Sequence, residues 1–391
     1  MTTPPPSADR APLPAGPTPA GPPPAGPPAA VRAGRWYSLR LRGLGAVLTL
    51  ELRQRIRSVK WYVALGLWAV FLLGMMVLLF GASSLLGVST MDDLRHVGSI
   101  VFTAVVFLVI FALLLVLPAL SAGSINGDRS AGTLATLQST MLSPLEIVLG
   151  KILAGWVLGL AFIALSLPSL LPSALISGAG IFYIVRVVAA LSVLALFITM
   201  IGIGLSALTS RQLGSVVLSY LLVLGATVIL PILYAVSLPF LSYEQDVQVW
   251  TSATEDHACV QTTRTREIVR TDVTLPLLVV NPFVIVSDVS PAMTTQEFED
   301  SEEPGHRFPD GLQGIRLGVR HLAQPLHPSH FNRCWDPSAT GYPADLGTPQ
   351  SVPMWPFGLA AWGIVGLGGA AVAVWRLRAP MRYVPKGTRI A

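Results

Sequence analysis

Charge is scarce in this chain of 391 residues: only 12% are Asp, Glu, Lys or Arg, where soluble domains carry about a quarter. That shortage, beside 52% hydrophobic residues, excludes an ordinary soluble globule. Six apolar runs contain no Asp, Glu, Lys, Arg or His: Trp61 to Gly81, Gly98 to Leu120, Ile152 to Leu171, Val187 to Leu208, Ser215 to Leu238, and Trp355 to Trp375. Each is long enough for a hydrocarbon core, which takes about 20 helical residues. The sequence therefore predicts an all-α polytopic membrane protein with six transmembrane helices. Charge-free spans argue against ion-coupled secondary transport, which places ionisable groups at mid-membrane. No G-x-x-x-x-G-K-[ST] phosphate cradle occurs, so the chain is not expected to bind ATP itself, and no H-E-x-x-H or paired acids in a span suggest a metalloenzyme. With two cysteines, a cysteine-rich zinc or disulfide scaffold is excluded as well.

What is present falls into four stretches. Residues 1–35 are mostly Pro, Ala and Gly with no apolar h-region, which reads as an extended tail and not as a signal peptide. Residues 36–241 carry the first five spans. They open on Leu44, Val47, Leu48, Leu52, Ile56 and Val59 at spacings of three and four, with Glu51, Arg53, Gln54 and Arg57 between them. That is an amphipathic helix with a basic face, expected flat in the membrane interface and in contact with lipid. Residues 242–354 form a long connection, and residues 355–391 the sixth span with a basic tail.

Lys and Arg set the orientation. Nine precede the first span, and Arg376, Arg378, Arg382, Lys386 and Arg389 follow the last. Six crossings leave both termini on one side, which the positive-inside rule makes cytoplasmic. The long connection then faces out, with 15 acidic and 7 basic residues. The basic balance elsewhere reflects orientation and gives no sign of nucleic-acid binding. Arg264 to Leu275 mixes β-branched and charged residues as edge strands do, so a small external domain, β or irregular, is expected there. Within it, Leu275 to Val289 is apolar, too short to span and broken at Asn281-Pro282. It reads either as a re-entrant or interfacial helix or as a buried strand. Cys259 and Cys334 both lie outside the cytoplasm on this topology and are expected to pair, which would stabilise the domain by roughly 4 kcal/mol. All six histidines are external or near the outer face, and His327 with His330 is too sparse a set for a metal. Gly155 with Gly159, Gly202, Gly204, Gly363, Gly366, Gly368 and Gly369 are expected to serve helix contacts within the subunit. Pro168, Pro172, Pro231 and Pro239 are expected to kink or end their helices.

The polar stretch from Asn126 to Lys151 is the centre of the reading. Ser130 is expected to cap a short helix carrying Thr133, Leu134 and Leu137 on one face. Pro144 should restart a second helix that runs through Glu146 and Lys151 into the third span. The product is an elbow at the membrane surface with an exposed Asp128-Arg129 pair. At these residues the chain resembles the permeases of type-2 ATP-binding-cassette (ABC) exporters. The resemblance rests on Asp128-Arg129, Gly132-Thr133-Leu134-Ala135, Thr140-Met141-Leu142-Ser143, the run from Glu146 to Lys151, and Asn281-Pro282-Phe283 before the last span. Ala135 stands where that family has an acid, and Met141 where it has a proline, which removes the salt bridge that acid could carry.

The resemblance implies a transport subunit, not an enzyme, whose ATP and Mg²⁺ are bound by a separate ABC ATPase present in two copies. A second permease, as homodimer or heterodimer, would complete the path. Asp128, Arg129, Gly132, Thr133, Leu134, Leu137, Glu146 and Lys151 would form the coupling site. The proline, alanine and glycine usage suggests a high-GC bacterium, hence a bacterial cell membrane. The competing classes are an ion-coupled secondary transporter and a membrane sensor or scaffold with an external domain.

Overall fold

A computed structural model describes residues 38–85, 87, 90–134, 142–252, 259–291, 310–323 and 352–378, with backbone alone at 247–252, 259–261 and 266. The Pro-rich tail, Ala135, Leu137, Thr140, Met141, Cys334, His327 and His330 lie outside the described residues, so the cysteine pairing does too.

Helix α1 (Leu41–Ile56) stops at Arg57, and α2 (Val59–Leu85) starts the first span. Helix α3 (Met91–Ser121) is opened by Thr90, whose side chain accepts from Asp93 N, with Asp92 and Asp93 in the first turn where the helix dipole favours acids. After the short α4 (Ser124–Ser130) come α5 (Pro144–Ile176) and α6 (Ile181–Leu208). The fifth span is composite: α7 (Gln212–Leu224), a π turn at Gly225–Ile229, α8 (Leu230–Ser237) and a 3₁₀ turn at Leu238–Leu241. Helix α13 (Trp355–Leu377) is the last span. All six apolar runs are thus helices long and apolar enough to cross a membrane. They exceed the charge-free windows because the helices continue through charged residues near their ends, Lys60, Asp92, Asp93, Lys151 and Arg186. Pro168 and Pro172 do not end α5, which continues to Ile176, whereas Pro231 follows the π turn and Pro239 sits in the closing 3₁₀ turn.

Three spans, α3, α5 and α6, make the core, through residues such as Val105, Val109, Leu113, Phe162, Leu191 and Leu194. Small residues let them approach. A Cβ on Gly155 would stand 2.4 Å from Thr199 Cγ2, and one on Gly204 would stand 2.4 Å from the Gly369 Cα where α6 crosses α13. These glycines therefore serve contacts inside the subunit. Helix α2 buries only Leu72 and Ser83, so most of its apolar side chains face outward, as suits a helix solvated by lipid.

Leu377 at the end of α13 packs with Ile125, Leu134 and Ala207, which puts the end of the last span on the elbow's side. The long connection lies at the other end. Strands β1 (Ser242–Ser252) and β2 (Cys259–Val269) form an antiparallel hairpin in register from Ser242 opposite Val269 to Ser252 opposite Cys259. Helices α9 (Thr271–Thr274), α10 (Pro276–Val279), α11 (Pro282–Asp288) and α12 (Gly311–Leu322) follow. The long connection thus adds helices to the expected strands. Of the two readings of Leu275 to Val289, the helical one holds: α9 with α10 meets α11 at a bend of 98°. Pro276 and Pro282 sit in first helical turns, where a missing N–H costs nothing, so they start these helices and do not disrupt them.

Candidate functional site

The elbow is set by a short run of local chemistry. Ser143 and Glu146 form a capping box: Glu146 N donates to Ser143 Oγ at 3.1 Å, and Ser143 N donates to Glu146 Oε2 at 2.8 Å. Pro144 between them starts α5. The other Glu146 oxygen accepts from Arg40 N at 2.6 Å, and Ser143 Oγ donates to the Ser38 carbonyl at 2.5 Å. Both bonds tie the entrance of α1 to the entrance of α5. Farther along, a Cβ on Gly150 would stand 2.6 Å from Val47, so the two helices are as close as glycine permits. Arg55 Nη2 donates to the Leu120 carbonyl at 3.1 Å. Burial pulls the Arg55 pKa below its ordinary value and the Glu51 carboxylate opposes that.

Lys151 is the electrostatic centre. Its side chain is 1% exposed, and its Nζ meets Glu51 of α1 and, at 2.5 Å, Asp128 Oδ2 of α4. One cation therefore holds the interfacial helix and the elbow on the third span. Glu51 was expected among the residues of the basic face. It is instead buried, one helical turn from buried Val47 and on the same face.

The expected exposed Asp128-Arg129 pair also turns inward. Asp128 is committed to Lys151, while Arg129 Nη1 donates to Asn126 Oδ1 at 3.2 Å and to the Thr209 carbonyl at 3.3 Å. Asn126, which the sequence reading passed over, is a junction: its Nδ2 donates to Thr209 Oγ1 at 2.9 Å, and the N–H groups of Ile125 and Asn126 share Ser206 Oγ at 3.1 Å. These bonds fix α4 to the end of α6. Leu134 is 2% exposed and packs on Ile125, Val148, Ile152 and Ile203, so it anchors the elbow from within and is not an open apolar contact. Ser130 caps no following helix. It closes α4 by donating to the Gly127 carbonyl at 2.9 Å, and the next helical turn begins at Thr133. Between them Gly132 has φ +74°, a left-handed conformation that glycine adopts at little cost. Thr133 Oγ1 donates to the Asp128 carbonyl at 3.3 Å. What the described elbow presents outward is its tip, Ser130 to Thr133.

At the opposite end, Asn281 does two things. Its Oδ1 accepts from Phe283 N at 2.9 Å and caps α11, while its Nδ2 donates to the Thr227 carbonyl at 3.1 Å. Pro231 has no N–H for that carbonyl four residues back, so the asparagine supplies the missing donor. Trp362 Nε1 donates to the neighbouring Val280 carbonyl at 2.8 Å, and the Phe283 ring meets Phe107 edge-on at 5.4 Å. Asn281 and Phe283, with the neighbouring Val280, thus pin the 98° bend to the second, fifth and sixth spans, through α3, the π turn and α13. Asn281→Ala is expected to lose about 1 kcal/mol for the cap and a further ~1–3 kcal/mol for the orphaned carbonyl, measured as unfolding in mixed micelles. Asn281→Ser, which keeps a capping oxygen, should lose only the second part.

The family model described as ABC-2 family transporter protein matches residues 46–310. No curated protein and no solved structure matches the chain. The matched stretch takes in most of α1, the first five spans, the elbow and the Asn281 bend, and because it covers well over half of the sequence this chain belongs to the ABC-2 family of transporter proteins.

Proposed function

We propose that the chain is the permease subunit of an ABC exporter, driven by a separate ATPase that binds ATP and Mg²⁺ in two copies. The observation that carries this reading is the elbow itself. It is a short polar connection in a chain of this family, bound by Lys151 to both α1 and the start of the third span, and its described residues are exposed at the tip. A load applied at such a tip is passed to a span and not absorbed by a loop. Membership of the family supports the ATPase as partner, and the excess of Lys and Arg on the elbow's side supports a cytoplasmic position for it and for both termini in a bacterial cell membrane. On this topology Cys259 and Cys334 pair outside. A second permease, identical or related, closes the path.

Roles among the described residues of the elbow divide by exposure, and Leu137 takes its role from the family resemblance alone. Glu146, Lys151, Asp128, Arg129 and Leu134 hold its shape, and Gly132, Thr133 and Leu137 make the approach to the ATPase. The test is affinity capture of the tagged full chain from membranes that also express the ATPase. A protein with a G-x-x-x-x-G-K-[ST] cradle should co-purify, and Ala131→Arg at the exposed tip should cut its recovery at least tenfold with membrane insertion unchanged. Recovery that persists in an Ala131→Arg/Leu137→Arg double variant, or no ATPase in the capture at all, would overturn the reading.

A further inference from the structure

At the hairpin end a cavity of about 600 Å³ opens between α6, α11, α12 and α13, within the range of small-molecule sites. Its polar side holds three guanidiniums, Arg186, Arg316 and Arg320, against one carboxylate, Asp288. Asp288 is fully engaged. One oxygen accepts from Arg320 Nε at 2.7 Å, and the other from the N–H groups of Met354 and Trp355 at 2.7 and 2.9 Å. Arg316 lies 3.9 Å from the same carboxylate and donates to the Ser290 carbonyl. Arg186 is exposed, and among the described residues no carboxylate pairs with it. Among the described lining residues, then, positive charges exceed negative by two. Burial lowers the Arg316 pKa, the positive charges of Arg320 and Arg186 lower it further, and Asp288 only partly offsets them.

Ser290 adds an independent sign. It lines the cavity, is 1% exposed, and its Oγ has no hydrogen-bond partner among the described residues. A buried hydroxyl left unpaired is costly unless something bonds to it. The rest of the lining is mostly apolar, with Ala189 and Val193 on α6 beside Arg186 and with Leu359 on α13.

We propose that this cavity binds an amphipathic anion, with a phosphate or carboxylate head on Arg186, Arg316 and Ser290 and a short apolar tail between α6 and α13. The head needs two charge-assisted bonds from guanidiniums, which favour planar or tetrahedral oxyanions. The tail needs the Ala189 face. Binding does not depend on the elbow's partner, so it stands or falls apart from the exporter reading.

The test uses the full chain in a neutral detergent and calorimetric titration with three probes: dihexanoyl phosphatidic acid below its micellar concentration, inorganic phosphate, and dihexanoyl phosphatidylcholine. The phosphatidic acid should bind, with phosphate at least tenfold weaker and the zwitterion without measurable binding. Arg186→Gln should weaken the phosphatidic acid about tenfold, the loss of one charge-assisted bond. Ala189→Trp should weaken it too by filling the tail's space, while leaving phosphate binding as it was. Both positions are exposed, so both variants should melt at the wild-type temperature. Equal binding of the zwitterion, or no effect of Arg186→Gln, would overturn the proposal. Phosphate binding as tightly as the phosphatidic acid would assign the site to a free anion and overturn the amphipathic part.

Discussion

Lys151→Met is expected to cost about 3–5 kcal/mol of stability, the range for removing one partner of a buried ion pair. The methionine fills nearly the same volume, so the loss is electrostatic. Without the ammonium, Glu51 and Asp128 are two carboxylates facing one site, with side chains 8% and 21% exposed and no cation between them. Each loses its partner and gains a like charge. The triple variant Glu51→Gln/Asp128→Asn/Lys151→Met removes all three charges and should recover most of the loss, because neutral replacement of a buried charge group is often close to neutral in free energy. Unfolding in mixed micelles separates the two. If Lys151→Met unfolds like the wild type, the three residues do not hold α1 and α4 to the third span. On the proposed function the single variant has a second expected effect, loss of coupling to the ATPase with an unaltered elbow tip.

The spans were legible because a run of some twenty apolar residues without charge has one stable form in a membrane, a helix that satisfies its own backbone. The restart of the chain at Ser143-Pro144-Leu145-Glu146 was partly legible for a similar reason: the proline fixes the start, and the serine and glutamate that complete the cap lie three residues apart. The partners of Lys151 were not legible. They lie 100 and 23 positions away, and periodicity says nothing about which turn of α1 meets which turn of α5. One signal was present, a single lysine at the head of an apolar run and a single glutamate among the arginines of α1. Asp128 and Arg129 were read as exposed because they are charged and lie between spans. Short polar connections at a membrane surface can also be folded against their own helices, and here Asn126, Ser206 and Thr209 provide the bonds that do so. Asn281 was found by its motif, but its bond to the carbonyl released by Pro231 required the fold.

The second large effect is expected at Asp288, whose side chain is 1% exposed. Asp288→Ala takes the carboxylate from the Arg320 guanidinium, itself 7% exposed, and frees the N–H groups of Met354 and Trp355 at the head of α13. Removing one partner of a buried ion pair alone costs about 3–5 kcal/mol, and the two released donors are partly rescued by water because Trp355 is more than a third exposed. Asp288→Asn keeps an oxygen for the helix head but not the charge, so it should lose less than alanine. Asp288→Asn/Arg320→Gln, with neither charge, should lose less again. Hydrogen exchange divides the two contributions: Phe357 and Gly358, whose N–H groups both bond to the Met354 carbonyl, should exchange faster in the alanine variant and near the wild-type rate in the double variant. A loss under about 1 kcal/mol for Asp288→Ala would mean that α13 is held at this end by the Gly358 contact with Val279 and Ile285 and not by the carboxylate. Since a Cβ at Gly358 would come within 2.4 Å of the Val279 carbonyl, that contact positions the helix sideways against the bend but gives its first turn no acceptor, and the acceptor is what Asp288 supplies.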